Sequence, residues 1–260
     1  MSYTSPVIIK RYSGQHFDTC RDMVVREVPF TIFVNDEELV TLVCTPVNLE
    51  ELAAGFLCSE GILRQPRDLK GITVNKNDGL IWVETTSPAP ATGNFLKRYI
   101  TTCCGKGRAS FYFVNDARGI DPIAGDLRLS AAGITALSKE LEEKAELFRQ
   151  TGGAHGAALC IPGKIIVMYE DIGRHNAVDK ILGHCFLRKI ALSDKILAIS
   201  GRVSSEILIK AARMGVPVLI SRSAPTDLAL QMADELGVTV AGFVRENRLN
   251  LYTHPERVVT

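Results

Sequence analysis

Short apolar runs set the pattern of the first half of the chain. Val24, Val25, Val28, Phe30, Ile32 and Val34 fall between Met23 and Val34, and Leu39 to Val43 follow across Asn35-Asp36, a spacing that predicts a hairpin. Ile72–Asn75 and Leu80–Glu84 flank Lys76-Asn77-Asp78-Gly79 and predict a second one. Between them, Asn48 with Glu51 reads as a capping box for a helix through Leu49, Leu52, Ala53, Phe56 and Leu57, stopped by Gly61. Ser110–Val114 is a further short strand.

The pattern changes after a stretch rich in Gly, Pro and Asp between Asp116 and Asp126, where a domain boundary is expected, giving units 1–125 and 126–260. Ser130 caps a long amphipathic helix carrying Ile134, Leu137, Leu141, Ala145 and Phe148, ended by Gly152-Gly153. Ala157–Ile161 and Ile165–Tyr169 read as a hairpin. Then helices at Ala177–Leu187, Ser204–Met214 and Pro225–Leu236 alternate with strands at Ile196–Ile199, Val216–Ile220 and Val238–Phe243. The expected fold is α/β: a mostly-β first part, then a layered sheet that is largely parallel after its opening hairpin.

Composition narrows the function classes more than it selects one. Hydrophobic residues make up 46% and charged residues 23% of 260 residues, with a formal net charge of +1. That balance fits a globular protein with no global attraction for nucleic acid. No apolar run is long enough for a membrane span, and the N-terminus lacks a secretory pattern. Seven cysteines, an odd number mostly scattered in apolar segments, suggest a reducing, cytoplasmic setting.

Charge is nevertheless placed with a pattern. Arg174, Arg202, Arg222 and Arg245 each follow a predicted strand end, one per strand–helix unit. In open α/β sheets ligands collect beyond those ends, where guanidiniums and helix N-termini together suit phosphate. Ser204, Ser205, Ser223 and Thr226 add hydroxyls. The competing reading is a set of helix caps and solvated arginines, some paired with Asp171, Glu206 or Asp227. No Walker loop and no GxGxxG is present, which argues against a hydride-transferring dinucleotide enzyme.

The second candidate is Thr101-Thr102-Cys103-Cys104-Gly105-Lys106-Gly107-Arg108. Lys106 and Arg108 favour a thiolate, and the glycines let a partner approach the sulfur. An exposed but idle thiol pair is the alternative. Cys44, Cys58, Cys160 and Cys185 lie among apolar neighbours and are expected in the core. His155 could serve as acid or base, and His175 stands beside Arg174; a structural role is open for both. No CxxC, no HExxH and no His-x-Glu with a downstream Pro-Cys-x-x-Cys occurs, so no zinc is expected.

Several long segments resemble the FdhD/NarQ family of formate dehydrogenase accessory sulfurtransferases. They are Glu51–Leu57 with Glu60-Gly61, Gly152–His155, Glu170–Lys180, Ser200–Glu206, Ser221–Thr226 and Phe243–Arg245 with Tyr252–Pro255. The resemblance implies a cytidine-deaminase-like three-layer α/β/α domain without the zinc site. It also implies a sulfur carrier that takes sulfur from a cysteine desulfurase and passes it to a molybdenum cofactor, bis(molybdopterin guanine dinucleotide), for formate dehydrogenase.

Cys104 lines up with the first cysteine of the family's Cys-Gly-x-Cys motif and is the implied persulfide carrier. Gly107 occupies the place of the second, so Cys104 is expected to work alone or with Cys103. Phe243, Val244, Arg245, Glu246, Asn247 and Arg248 line up with the family's cofactor-binding segment. Arg174, Arg202, Arg222 and, more weakly, Lys180 complete the expected cofactor site, with His155 near the transferred sulfur. A strand-rich half and two delivery partners fit a homodimer. The alternatives are a non-enzymatic chaperone of the same cofactor and a zinc-free nucleotide-modifying enzyme.

Overall fold

The computed structural model describes residues 2–87, 99–100 and 119–260. Cys103, Cys104 and the strand expected at Ser110–Val114 lie outside the described residues.

The chain opens with a two-stranded antiparallel ribbon, β1 (Thr4–Tyr12) and β2 (Phe17–Val25). The apolar pattern predicts only its last residues, because most of both strands faces solvent; Ile8 and Phe17 are 73% and 67% exposed. Next come β3 (Val28–Val34), β4 (Glu37–Cys44), helix α1 (Leu49–Ser59), β5 (Leu69–Asn75), β6 (Leu80–Thr85) and β7 (Tyr99–Ile100). They form a sheet ordered β5-β6-β3-β4-β7, with both predicted hairpins in place. Phe30, Ile32, Val34, Ile81 and Val83 pack on Leu52, Ala53 and Leu57 of α1, and each fully buried side chain of this size contributes roughly 1.5–3 kcal/mol.

The expected capping box at Asn48 does not form. Asn48 is left-handed (φ 54°), with no side-chain cap; only its carbonyl enters the helix, accepting from Leu52 N at 3.0 Å. Gly61 does end the turn, at φ 75°.

The second part contains β8 (Leu129–Ser130), α2 (Ala131–Glu143), α3 (Glu146–Thr151), β9 (His155–Ile161), β10 (Lys164–Asp171) and α4 (Arg174–Leu187). It continues with β11 (Ile196–Ile199), α5 (Ser205–Arg213), β12 (Val218–Ser221), α6 (Asp227–Glu235), β13 (Thr239–Arg245), β14 (Arg248–Thr253) and β15 (Val258–Val259). Ser130 Oγ caps α2, accepting from Gly133 N at 3.0 Å. The predicted single helix is broken between α2 and α3. Glu170 captures the start of α3, its carboxylate accepting from Leu147 N at 2.8 Å and Phe148 N at 2.9 Å, a favourable place for negative charge. Phe148 is consequently half exposed and not in the core.

The main sheet is ordered β10-β9-β11-β12-β13-β14. Only β11, β12 and β13 are hydrogen-bonded in parallel; β14, unanticipated by the apolar pattern, returns antiparallel on the edge. Strand alternation divides the side chains between two cores. Ala157, Leu159, Leu197, Ile199, Leu219 and Val240 face α4, α5 and α6. Ala158, Cys160, Ile196, Ala198, Ile220 and Ala241 face α2. The result is the three-layer α/β/α arrangement.

The two parts meet backbone to backbone. A Cβ added at Gly55 of α1 would lie 1.7 Å from Asp179 O, and one at Gly183 of α4 would lie 1.9 Å from Glu51 O. Among the described residues, no helix is long and apolar enough to cross a membrane.

Candidate functional site

The topology explains how arginines distant in sequence come to one edge. β10 is antiparallel to β9, and β9 is antiparallel to β11, so β10 runs in the same direction as β11, β12 and β13. Their four carboxyl ends therefore share one rim, as do the start of β9 at His155 and the start of β14 at Arg248. Arg174, Arg202, Arg222 and Arg245 all leave from this rim.

Contacts tie its members together. A Cβ on Gly201 would meet Arg174 Cβ and Cδ at 3.2 Å and His155 Nδ1 at 3.5 Å, so both groups close tightly on the residues that follow β11. Arg222 N donates to Ile199 O at 3.2 Å, and Arg245 Nε donates to Arg222 O at 3.0 Å. Ser221 Oγ donates to Gly201 O at 2.7 Å and accepts from Ser223 N at 2.9 Å, bracing neighbouring strand ends.

The arginines divide by partner. Arg222 pairs with Glu142 of α2 at 2.8 Å, not with the acids expected from sequence. Arg245 spends Nε on the backbone; its Nη groups have no protein partner among the described residues. Arg202 and Arg248 are exposed and likewise have no ion pair there. Two of the hydroxyls are helix caps: Ser204 Oγ accepts from Ile207 N at 3.5 Å and Thr226 Oγ1 from Ala229 N at 3.4 Å.

The Phe243–Arg248 segment forms the bend from β13 into β14. Phe243 (φ 51°) and Glu246 (φ 51°) are left-handed, and the pairing register shifts between Gly242 and Arg245. This bulge turns the Phe243 ring outward, 40% exposed, while Val244 is fully buried among α2-facing core residues. The side chains of Phe243, Arg245, Glu246, Asn247 and Arg248 reach the surface; that of Val244 does not.

Lys180 does not open onto the rim either. Its ammonium is wholly buried, 2.6 Å from Asp171 Oδ2 and 2.7 Å from Thr45 Oγ1. Five residues earlier on the same helix, His175 Nε2 lies 3.1 Å from Glu206 Oε2. His175, followed by Lys210 and Arg174, holds the Glu206 carboxyl below its ordinary range. This pairing was not legible in the sequence, where the two residues stand on different helices. His155 is pushed down, first by burial and then by the charges of Arg174 and His175, and its Nδ1 lies 3.5 Å from Ser200 Oγ.

Four of the described cysteines are core residues, as expected. Cys44, Cys58, Cys160 and Cys185 are at most 1% exposed. Burial raises all four thiols, Cys160 and Cys185 to about 12, which suppresses their thiolates. Cys20 is partly exposed on β2. Among the described residues, no group of three or more His, Cys, Asp or Glu is arranged to hold a metal ion.

Comparison with known proteins agrees along nearly the whole chain. The model of the FdhD/NarQ family matches residues 25–259. A sulfur carrier protein FdhD from Geobacillus kaustophilus is 47% identical over 252 residues, covering 96% of this chain and 95% of its own. One of the same description from Bacillus subtilis is 45% identical over 249 residues, covering 95% of each. A crystal structure from Desulfotalea psychrophila, described as a formate dehydrogenase accessory protein, superposes with a TM-score of 0.80 at 28% identity, covering 99% of this chain and all of that one.

Proposed function

The chain belongs to the FdhD/NarQ family, and from that premise we propose that it is a sulfur carrier serving the maturation of formate dehydrogenase. In this reading Cys104 takes sulfur from a cysteine desulfurase and passes it to bis(molybdopterin guanine dinucleotide) held at the rim. The loading step balances without an added oxidant. The Cys104 thiolate attacks the outer sulfur of the donor persulfide, the donor S–S bond breaks, and the donor cysteine leaves as a thiolate.

The observation that carries the cofactor half of this reading is the common rim of β10, β11, β12 and β13. It gathers guanidiniums around the starts of α5 and α6, including the Nη groups of Arg245, which have no protein partner among the described residues. Such donors suit a diphosphate through charge and bidentate geometry together. The exposed Phe243 ring beside them suits a purine or pterin face. Holding His155 neutral leaves it able to accept a proton near the transferred sulfur.

Two observations support the cysteine half. Four described cysteines are sealed in the core with raised thiols, which leaves few candidates for a carrier. The strand that leads into the Cys103-Cys104 segment, β7, runs parallel to β4, and Thr45 at the end of β4 bonds Asp171 just before Arg174.

A second reading, a chaperone that binds the cofactor without carrying sulfur, draws on the rim alone. Mass spectrometry after incubation with a desulfurase and cysteine separates the two. The carrier gains one sulfur on Cys104 and Cys104→Ala gains none; equal gain in both proteins removes the relay.

A further inference from the structure

Asp171 ends β10, is wholly buried, and has its carboxylate saturated. Oδ2 accepts from Lys180 Nζ at 2.6 Å, Thr45 Oγ1 at 2.8 Å and Thr45 N at 3.1 Å. Oδ1 accepts from Gly173 N at 3.0 Å and Asn176 Nδ2 at 2.9 Å, and the same amide nitrogen donates to Val43 O at 2.9 Å. Thr45 follows β4 in the first part of the chain; Gly173 immediately precedes α4, and Asn176 lies in its first turn. One carboxylate thus clamps the end of a strand in one part to the start of a helix in the other.

The clamped turn carries the rim's first arginine. Gly173, the residue before α4, has no side chain with which to cap the helix, so the Asp171 bond to its N–H fixes where α4 begins. Arg174 follows immediately and packs against Gly201 and the His155 side of the rim. His175, next in line, faces Glu206. A small rotation of this turn would carry Arg174 across the rim.

We infer that Thr45 and Asp171 are positioning residues of the anion rim: the first part of the chain sets where Arg174 stands, by way of the Asp171 carboxylate. The inference rests on the rim binding a diphosphate, as proposed above. Thr45 is the place to test it. Thr45→Val keeps shape and the backbone bond while removing the hydroxyl that bridges Asp171 and Lys180, and Thr45→Ser keeps that hydroxyl.

The measurement is calorimetric titration with GDP, well below the unfolding temperature, in wild-type and Arg174→Ala backgrounds. Thr45→Val is expected to weaken GDP binding about fivefold. Thr45→Ser restores it, and Thr45→Val costs nothing further once Arg174 is gone. A general weakening of the fold would instead add equally in both backgrounds. Wild-type affinity in Thr45→Val, or an equal loss in the Arg174→Ala background, overturns the inference and leaves the rim standing. Absence of GDP binding by the wild-type protein removes the rim reading, and this inference with it. If Thr45→Val does not fold, Asn176→Ala, which removes the turn's side-chain bonds to Asp171 and Val43 O, is judged by the same outcomes.

Discussion

Two sets of charges lie within one layered domain, and they differ in what their partners are. The interior set, Asp171 with Lys180 and Asp179 with Lys210, is closed. Lys210 Nζ is 2.7 Å from both Asp179 oxygens, Ser59 Oγ donates to Oδ1 at 2.6 Å, and Asp171 is saturated. These groups tie α4 and α5 to α1 and β4. The rim set stands at strand ends: Arg202, Arg245 and Arg248 are exposed, while Arg174 is partly buried beside Gly201 and Arg222 pairs with Glu142. Lysine and arginine counts could not separate them. The lesson is that a cation stays available to a ligand only where the fold leaves its donors unspent.

The contrast can be attacked from its foundation outward. Gly183→Ala would force a methyl into the backbone of α1, where a Cβ at that site would stand 1.9 Å from Glu51 O and neither helix can yield. A loss of more than about 3 kcal/mol, or no soluble protein, is expected in denaturant titrations. Lys180→Met should cost about 3–5 kcal/mol, because it strands a buried carboxylate. Both changes test the interior set through stability.

Arg245→Ala tests the other set. Its side chain is exposed, so stability should change by less than about 0.5 kcal/mol. GDP affinity should nevertheless fall tenfold or more, given about 1.5–3 kcal/mol for hydrogen bonds to a charged group. An unchanged affinity would place the arginine outside the ligand site and erase the contrast.

The smallest effect is a titration. Folded His155 takes up its proton at lower pH than the unfolded chain does, because burial and the Arg174 and His175 charges oppose it. Acid therefore favours the unfolded state through this residue: its contribution is present above the ordinary imidazole value of about 6.5 and is lost as pH falls towards the folded one. NMR should place the His155 midpoint below that value and show it rising in Arg174→Ala; a midpoint that ignores Arg174 would detach the histidine from the rim.

Much of this architecture was legible because its elements are local. The β3–β4 and β5–β6 hairpins, the Ser130 cap and the alternation from β9 to β13 follow from turn residues and apolar period. The core cysteines follow from apolar neighbours. Illegible were the features that depend on partners far along the chain. Asn48 looked like a cap but lies in a left-handed turn, and Phe148 continued a helical stripe that Glu170 interrupts from another strand. The β1–β2 ribbon hides few apolar groups, so it has little periodic signal.

The sequence by itself therefore determined the alternating strands and helices, the arginine after each strand end, and the family resemblance that comparison then bore out. Only the tertiary structure decided which cations are spent. Arg174 and Lys180 stand on one helix, within one continuous motif, yet Lys180 closes on Asp171 in the interior while Arg174 packs at the rim. The reason is geometric: helical period turns neighbours in sequence to different faces, and which face is buried depends on α1, joined to α4 through two glycines more than a hundred residues apart.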